Sequence, residues 1–226
     1  MKIELVKPSL EYKDSFFKAA KEWETFTGFT IFSVQGYVNV KNQLDFNNLL
    51  IQLENAEKGT GLPEGLVPYS DLWLIVDGKM AGVVNIRHNL NNRVLAEWGG
   101  HIGYQLRPSY TGKGLAVPML LKTIDFAGDN LGIEKVMLSC NPENTPSYKT
   151  IKHVLQERGG EELEDFIHEN GEKSKRFLLY TPLYYRKYAS DELGLNDRQK
   201  QKFAKEAEAL RRNLQLRRNV TTSLKI

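Results

Sequence analysis

This chain lacks several features that would narrow its function at once. Of its 226 residues one is a cysteine, Cys140, so no disulfide forms within the chain, which agrees with a reducing compartment. No apolar run reaches the roughly 18 residues that cross a bilayer, and the first residues, MKIELVKPSLEYKD, lack the apolar stretch of a signal peptide. We therefore expect a cytoplasmic protein that does not span a membrane.

An excess of charge of one sign is also missing. The net charge is +3, with 26% charged and 41% hydrophobic residues, a composition typical of globular domains. Basic residues do outnumber acidic ones between Arg198 and Arg218, eight against two (Glu206 and Glu208). The overall charge is too small to indicate nucleic acid, and nucleic acid is not the partner that we expect.

Hydrophobic spacing predicts a mixed α+β domain around one sheet. Strands are predicted at 2–6, 71–76, 80–87, 101–106, 133–140 and 177–180, and helices after Ser9, around 46–53, after Leu115 and at 145–158. The dipeptide Asp77-Gly78 supplies the positive φ angles of a tight hairpin turn. The segment order is β, α, α, a β meander, and then β-α-β-α-β.

A short loop with two glycines carries the strongest functional signal. It consists of Thr111, Gly112, Lys113, Gly114, Leu115 and Ala116, and it leads from a predicted strand into a helix. The first N–H groups of a helix are unpaired and carry partial positive charge, so small residues there can wrap a pyrophosphate. Lys113 adds a cation at the rim. An ordinary tight turn is the alternative interpretation, and the spacing fits neither a Walker A loop nor a Rossmann fingerprint.

The run HIGYQLRPSYTGKGLAVPMLLKTIDFA, followed after a strand by CNPENTPS, resembles the GNAT superfamily of N-acetyltransferases. Members carry a pyrophosphate loop of pattern Q/R-x-x-G-x-G/A, here 111–116, and a later N-x-x-S, here Asn144 and Ser147. The stretch VPYSDLWLIVDGKMAGVVNIRHNLN before GGHIGYQLRPS is similar to a bacterial subgroup of predicted acetyltransferases. The resemblance covers residues 1–182 and implies a GNAT domain there, and we expect residues 183–226 to form a basic, mainly helical extension.

The resemblance implies a mixed, mostly antiparallel central sheet flanked by helices, and acetyl-CoA as cosubstrate without a metal. The pantetheine arm would enter between the strands 101–106 and 133–140, and backbone groups of Gln105 and Leu106 would pair with it like an added strand. Asn144 would bind the arm or hold the loop, with helix capping as the alternative. The acceptor would be an amine of a small molecule or peptide that attacks the thioester directly.

Two positions depart from the family pattern. Thr111 stands where glutamine or arginine is usual, so one cation near the phosphates is missing and we expect weaker cofactor binding. Ile151 stands where many members have a tyrosine that protonates the leaving thiolate. Tyr148, one turn earlier, is the candidate replacement, and a structural tyrosine is the alternative. Cys140 ends an apolar run, so we expect it to pack in the core and not to act as a nucleophile.

The general base, which takes the proton of the ammonium group, has several candidates near the strand before the loop. Glu97 and His101 rank equally, His88 lies across the predicted hairpin, and a water relay is a further alternative. Strand alternation places His101 with Gly103 and Gln105 on one face. A bulge at residues 99–100 would change that parity.

Beyond Pro182 the resemblance ends. A helix is predicted from Asn196, with apolar residues on one stripe and basic residues around it. It packs on the domain or on a second subunit, which would make a homodimer, or it is a basic arm for nucleic acid or an acidic protein, or a frayed tail. Two functions besides acetyl transfer therefore stay open: a non-catalytic acyl-CoA-binding regulatory domain, and a nucleic-acid-associated protein acting through this helix.

Overall fold

The structure, a computed structural model, describes residues 1–188. The strands are β1 (Ile3–Val6), β2 (Tyr69–Val76), β3 (Lys79–Arg87), β4 (Ile102–Leu106), β5 (Lys135–Cys140), β6 (Gly160–Ile167) and β7 (Lys173–Tyr180). The helices are α1 (Lys13–Glu24), α2 (Phe32–Tyr37), α3 (Gln43–Lys58), α4 (Ala116–Leu131), α5 (Thr145–Arg158) and α6 (Pro182–Tyr188). The helix predicted from Asn196 lies outside the described residues.

The strands form two antiparallel sheets, with strand orders β1-β2-β3-β4 and β5-β7-β6. The predicted α+β class, antiparallel sheets flanked by helices, is confirmed. The prediction of one continuous sheet differs from the structure, because β4 and β5 belong to separate ladders. Strands β4 and β5 meet just before β4, where the His101 N–H donates to the Met137 carbonyl at 2.7 Å. The gap between β4 and β5 is therefore closed at one end.

Residues at turns and helix ends correctly predicted the hairpin and the ends of α4 and α5. Asp77 and Gly78 have φ angles of 47° and 76°, as a two-residue turn between β2 and β3 requires. Helix α4 ends at Gly132, whose φ is 68°, and α5 occupies the range predicted for it. Strand β6 was not predicted, because GEELEDFI is rich in acidic residues without a regular two-residue apolar period, and at the sheet edge all eight of its residues are half-buried or exposed.

Two apolar layers enclose β2 and β3. On one face α1, α2 and α3 bury a cluster that includes Phe16, Trp23, Phe46 and Trp73. On the other face α4 and α5 pack with residues of both sheets. Because β2 and β3 are covered on both faces, they form a rigid platform, and β4 extends that platform to the gap beside β5.

Among residues 1–188, no helix is both long enough and apolar enough to cross a membrane. Within the same range, no group of three or more His, Cys, Asp or Glu side chains is arranged to hold a metal ion.

Candidate functional site

A cavity of about 570 Å³ opens beside β4. Four segments form its wall: the loop between α1 and α2, strand β4, the loop with two glycines, and the start of α5. Their lining residues are Phe26, Gly28, Phe29, Tyr104, Gln105, Leu106, Thr111, Gly112, Ala116, Glu143, Asn144, Pro146, Ser147 and Thr150. The glycine loop and the N-x-x-S element, which the sequence places about 30 residues apart, thus border one space.

The glycine loop is shaped to leave its backbone accessible. Gly112 and Gly114 both have φ angles of 71°, and a Cβ built on either would meet no atom within 4 Å. Helix α4 begins at Ala116, and the preceding Leu115 provides no side-chain cap, so the first N–H groups of the helix are available to an anion. Lys113 Nζ lies 5.0 Å from the ring centroid of Tyr110, which holds this cation beside the loop.

The hydroxyl and the N–H of Thr111, the first residue of that loop, are both engaged by the preceding turn. Its hydroxyl donates to the Pro108 carbonyl at 2.8 Å, and its N–H donates to the same oxygen at 3.1 Å. Thr111 therefore shapes the loop entry and supplies no charge there. The residues present fit a pyrophosphate through backbone donors and Lys113, without the cation that the family pattern has at this position.

The ladder with β3 decides which backbone groups of β4 face the gap. Arg87 N–H donates to the His101 carbonyl and Arg107 N–H to the Ala81 carbonyl, each at 2.8 Å. Hydrogen-bonded pairs alternate in an antiparallel ladder, so residues 101, 103, 105 and 107 direct their backbone carbonyls or N–H groups toward β3. Residues 102, 104 and 106 present theirs to the open edge. Gln105 therefore contributes its side chain to the site, whereas Leu106 contributes its backbone.

Helix α1 holds the end of β4 and the start of the glycine loop. The indole N–H of Trp23 donates to the Leu106 carbonyl at 3.1 Å. The Glu22 carboxylate accepts from Arg107 Nη2 at 2.6 Å and from the Ser109 N–H at 3.0 Å. Burial alone would raise the pKa of Glu22, but the hydrogen bonds from Arg107 and Ser109 lower it. These contacts fix the strand end against which a ligand would lie.

The start of α5 brings two hydroxyl groups to the cavity. The Tyr104 and Ser147 hydroxyls are 3.0 Å apart, and burial raises the pKa of Tyr104 to about 12, so it keeps its proton at neutral pH. The Asn144 side chain accepts from the Ser147 N–H at 3.3 Å and so caps the helix, while Asn144 also lines the cavity. Tyr148 instead packs its ring near that of Phe177, with centroids 6.0 Å apart.

None of the three predicted base candidates lines the cavity, and each is hydrogen-bonded to a residue that does not line it either. Glu97 Oε1 accepts from Arg93 Nε at 2.8 Å within a π-helical turn at Leu95–Gly99. His101 Nδ1 accepts from the Met137 N–H at 2.9 Å, which leaves the ring proton on Nε2. Burial, aided by the charge of Arg87, lowers the pKa of His101 to about 4. The His88 ring Nε2 lies 2.9 Å from the Ser70 hydroxyl.

Burial also governs Cys140, at the end of β5. It raises the pKa of the Cys140 thiol to about 11, and the side chain belongs to the apolar cluster between the two sheets. The thiol is therefore protonated at neutral pH. This placement agrees with the expected packing role.

The loop between α1 and α2 is a part of the site that was not predicted from the sequence. Phe26, Gly28 and Phe29 line the cavity from that loop, and the Ile31 N–H donates to Gln105 Oε1 at 3.0 Å. The two residues are 74 positions apart, and periodicity along the chain carries no information about such a contact. The sequence offered one signal there, two phenylalanines within TFTGFT, which are 39% and 56% exposed in the structure.

Comparison with sequences of known proteins gives a consistent result. A family model described as an acetyltransferase (GNAT) domain matches residues 3–154, which is 152 of the 226 residues. An uncharacterized N-acetyltransferase of Bacillus subtilis (strain 168), YnaD, is 27% identical over 75 residues, 33% of this chain and 44% of the relative. An uncharacterized N-acetyltransferase of Bacillus licheniformis, p20, is 34% identical over 59 residues, 26% of this chain and 33% of the relative. The chain thus matches less than half the length of either relative.

Solved structures with the same fold include three acetyltransferases. RimL, a ribosomal L7/L12 alpha-N-protein acetyltransferase in complex with coenzyme A, has a TM-score of 0.56 at 14% identity, covering 81% of this chain and 96% of its own. The microcin C7 self-immunity acetyltransferase MccE has a TM-score of 0.53 at 20% identity, with coverages of 79% and 92%. A chimera of spermidine N-acetyltransferase SpeG from Vibrio cholerae and hSSAT has a TM-score of 0.53 at 12% identity, with coverages of 81% and 98%. At these identities the likeness shows the fold, and the match of the family model to more than half of the sequence shows that the chain belongs to the GNAT acetyltransferase family.

Proposed function

We propose that this chain transfers the acetyl group of acetyl-CoA to an amine by direct attack. One observation carries the proposal: a single cavity joins the glycine loop before α4, the open edge of β4 and the start of α5. In the reaction a C–N bond forms to the acetyl carbon, the C–S bond breaks, the amine loses one proton, and the coenzyme A sulfur gains one. The chain's residues have to hold the thioester, admit the amine and manage those two protons.

The first task falls to the glycine loop and β4. The backbone N–H groups of residues 112–116 and the Lys113 ammonium would hold the pyrophosphate. The open-edge backbone groups of Tyr104 and Leu106 would pair with the pantetheine arm in the manner of an added strand. Trp23 already engages the Leu106 carbonyl, which leaves the Leu106 N–H for the ligand. Bound in this way, acetyl-CoA supplies an activated acyl carbon.

The proton for the departing sulfur would come from the hydroxyl pair at the start of α5. Ser147 and Tyr104 both line the cavity, with hydroxyl oxygens 3.0 Å apart. Tyr104 keeps its proton because burial raises its pKa to about 12, so it can donate to Ser147 while Ser147 donates into the cavity. Tyr148 remains the alternative acid predicted from the sequence, although its ring packs against the core beside Phe177.

The amine proton would leave through water. Glu97 is engaged by Arg93, and the acceptor nitrogen of His101 is engaged by Met137. The His101 ring would have to change partners to act as a base, and Glu97 is not among the residues that line the cavity, whereas water in the cavity can relay the proton to solvent. Glu97 and His101 therefore stay predictions from the sequence.

The test is calorimetric titration of acetyl-CoA into the wild type, Gly114→Glu and Gly132→Glu. Gly114 and Gly132 have φ angles of 71° and 68°, and a Cβ at either position meets nothing within 4 Å, so both substitutions place a side chain at positive φ without a steric clash. Gly132 ends α4, away from the glycine loop. We expect binding to the wild type and to Gly132→Glu, and its loss in Gly114→Glu, where a carboxylate occupies the phosphate position.

Coenzyme A release with a panel of amines then separates an enzyme from a non-catalytic acyl-CoA-binding domain. Turnover that needs both acetyl-CoA and an amine supports the proposal. Binding without turnover for any amine would favour the regulatory alternative. If the wild type does not bind acetyl-CoA, the proposed function is wrong.

A further inference from the structure

Two phenylalanine rings line the cavity from the loop between α1 and α2. Phe26 is 39% exposed and Phe29 is 56% exposed. The Phe26 ring lies against Gly28, because a Cβ built on that glycine would be 2.7 Å from Phe26 Cε1. Large apolar side chains that line a concave space while still exposed are typical of ligand sites. The cavity therefore has an apolar wall that is partly open to water.

The loop that carries these rings is anchored to β4. The Ile31 N–H donates to Gln105 Oε1 at 3.0 Å, and Ile31 Cγ2 lies 3.6 Å from the position that a Cβ on Gly103 would take. The Ile31 side chain thus fills the space beside Gly103. These two contacts fix the chain two residues after Phe29, and so they hold its ring at the cavity.

The rings and the proposed cofactor site lie on opposite faces of β4. Successive side chains of a strand point to opposite faces. Tyr104 reaches Ser147 on α5, with hydroxyl oxygens 3.0 Å apart, whereas Gln105 reaches Ile31. Helix α4, which follows the glycine loop, packs in the same apolar layer as α5. An acetyl-CoA held by the glycine loop and the edge of β4 would leave the other side of its thioester open toward the two rings, and the amine has to approach from an open side.

The wall of the cavity carries little charge. Of the described residues that line it, one is charged, Glu143, and the other polar side chains are neutral amides and hydroxyls. A carboxylate on the acceptor would meet no cation in this wall, and a polyamine would meet one carboxylate for several ammonium groups. A charge taken out of water without a partner is unfavourable. The wall therefore favours an acceptor with a single amino group and no other charge.

We infer that the acceptor is a monoamine with an apolar substituent, aromatic or aliphatic, which packs against Phe26 and Phe29. This inference rests on the proposed function and names the substrate class of the same site. The amino group would lie at the edge of β4, next to the thioester, and the substituent would displace water from the two rings. Because burial of apolar surface supplies the affinity, a larger apolar substituent should make a better acceptor as long as the cavity holds it.

The experiment compares amines that differ in one property at a time. Acetyl-CoA-dependent coenzyme A release is measured for ethylamine, butylamine and phenethylamine, which differ in apolar surface, for L-phenylalanine, which adds a carboxylate, and for spermidine, which adds positive charge. We expect the better of butylamine and phenethylamine to exceed each of the other three in kcat/KM by at least about tenfold. The inference is overturned if ethylamine, L-phenylalanine or spermidine is acetylated as efficiently, or if none of the amines is acetylated while acetyl-CoA binds.

Phe29→Ala and Phe32→Ala are a matched pair of variants. The two rings are 56% and 57% exposed and belong to residues three positions apart, but only Phe29 lines the cavity. In Phe29→Ala, KM for the preferred apolar amine should rise about tenfold, while kcat/KM for ethylamine and the affinity for acetyl-CoA by calorimetry stay near wild type. Phe32→Ala should change none of these values.

The variants also separate the acceptor site from the cofactor site. An unchanged KM for the apolar amine in Phe29→Ala, or equal effects of the two substitutions, would overturn the inference. Weaker acetyl-CoA binding in Phe29→Ala would overturn it as well, because the ring would then contact the cofactor. Failure of the wild type to bind acetyl-CoA would instead overturn the proposed function.

Discussion

His101 and Met137 join the two sheets by a reciprocal pair of hydrogen bonds. The His101 N–H donates to the Met137 carbonyl at 2.7 Å, and the Met137 N–H donates to His101 Nδ1 at 2.9 Å. The second bond requires a neutral ring, because a protonated histidine has a proton on both nitrogens. The junction that closes one end of the gap between β4 and β5 therefore depends on the protonation state of one side chain.

This dependence predicts how stability changes with pH. The pKa of His101 is about 4 in the folded protein and about 6.5 in an unfolded chain. Between these values the unfolded chain binds a proton that the folded protein does not, so the free energy of unfolding falls as pH falls from about 6.5 to about 4. The total effect is about 3 kcal/mol.

His101→Asn tests this assignment, because the Asn side-chain oxygen can accept from Met137 and does not titrate. Urea unfolding between about pH 4 and 7 should show a flatter profile for His101→Asn than for the wild type. His153→Asn, at an exposed position on α5, should keep the wild-type profile. A profile for His101→Asn as steep as that of the wild type would show that other groups cause the pH dependence.

Gly100, next to this junction, predicts a second stability effect. Its φ is 67°, and a Cβ would lie 2.6 Å from the Met137 carbonyl oxygen. Gly132 has nearly the same φ, 68°, but its ψ is 20° against −175° for Gly100, and no atom lies within 4 Å of its Cβ position. Gly132→Ala should therefore lower the free energy of unfolding by only about 1–2 kcal/mol, the cost of a left-handed backbone angle in alanine. Gly100→Ala should lower it by at least about 2 kcal/mol more, because backbone has to move.

Denaturant unfolding of the two alanine variants measures the difference. The difference combines the contact of Gly100 with Met137 and the Gly100 backbone conformation, whose ψ of −175° at positive φ is essentially restricted to glycine. If the two variants lose equal free energy, the sheets are free to separate at this point and the junction is not tightly packed.

The elements that sequence analysis placed well have strong local signals. The Asp77-Gly78 turn, the glycine that ends α4 and the regular apolar spacing of α4 and α5 are each determined within a few residues. Strand β6 lacked such a signal, because its acidic residues face outward at an edge and resemble a loop in composition. The sheet divides where β4 and β5 separate. That separation depends on tertiary packing and has no signal in the local sequence.

The same distinction applies to the site. The sequence identified the glycine loop and the N-x-x-S element, and the structure brings both to one cavity. Contacts between distant segments could not be identified from the sequence. One example is the hydrogen bond from Trp23 to Leu106, two residues that are 83 positions apart. Roles that depend on where a side chain points, such as that of Gln105, needed the register of β4 against β3.

The contact of Glu22 with the loop predicts a link between α1 and cofactor affinity. Glu22→Gln removes the charged partner of Arg107, whose side chain is 12% exposed, and an uncompensated buried charge is destabilising by about 2 kcal/mol. Because Glu22 also holds the Ser109 N–H, the glycine loop should become less ordered. We expect several-fold weaker acetyl-CoA binding by calorimetry.

Glu24→Gln on the same helix is the matched control. Glu24 pairs with Lys41 at 2.6 Å, with both side chains more than half exposed, so its loss should change stability by less than about 1 kcal/mol. Acetyl-CoA affinity should not change. Equal effects of the two substitutions would mean that the contact between Glu22 and Arg107 does not position the loop.

The identity of the general acid is tested by Ser147→Ala and Tyr148→Phe. Each substitution removes one hydroxyl from α5, and only Ser147 belongs to the cavity wall and contacts Tyr104. Loss of a positioned acid typically lowers kcat by about 10²-fold or more, so we expect that decrease for Ser147→Ala and a kcat near wild type for Tyr148→Phe. Calorimetry should give similar acetyl-CoA affinities for both variants, which separates proton transfer from binding. The opposite order of kcat values would assign the acid to Tyr148, the candidate named from the sequence.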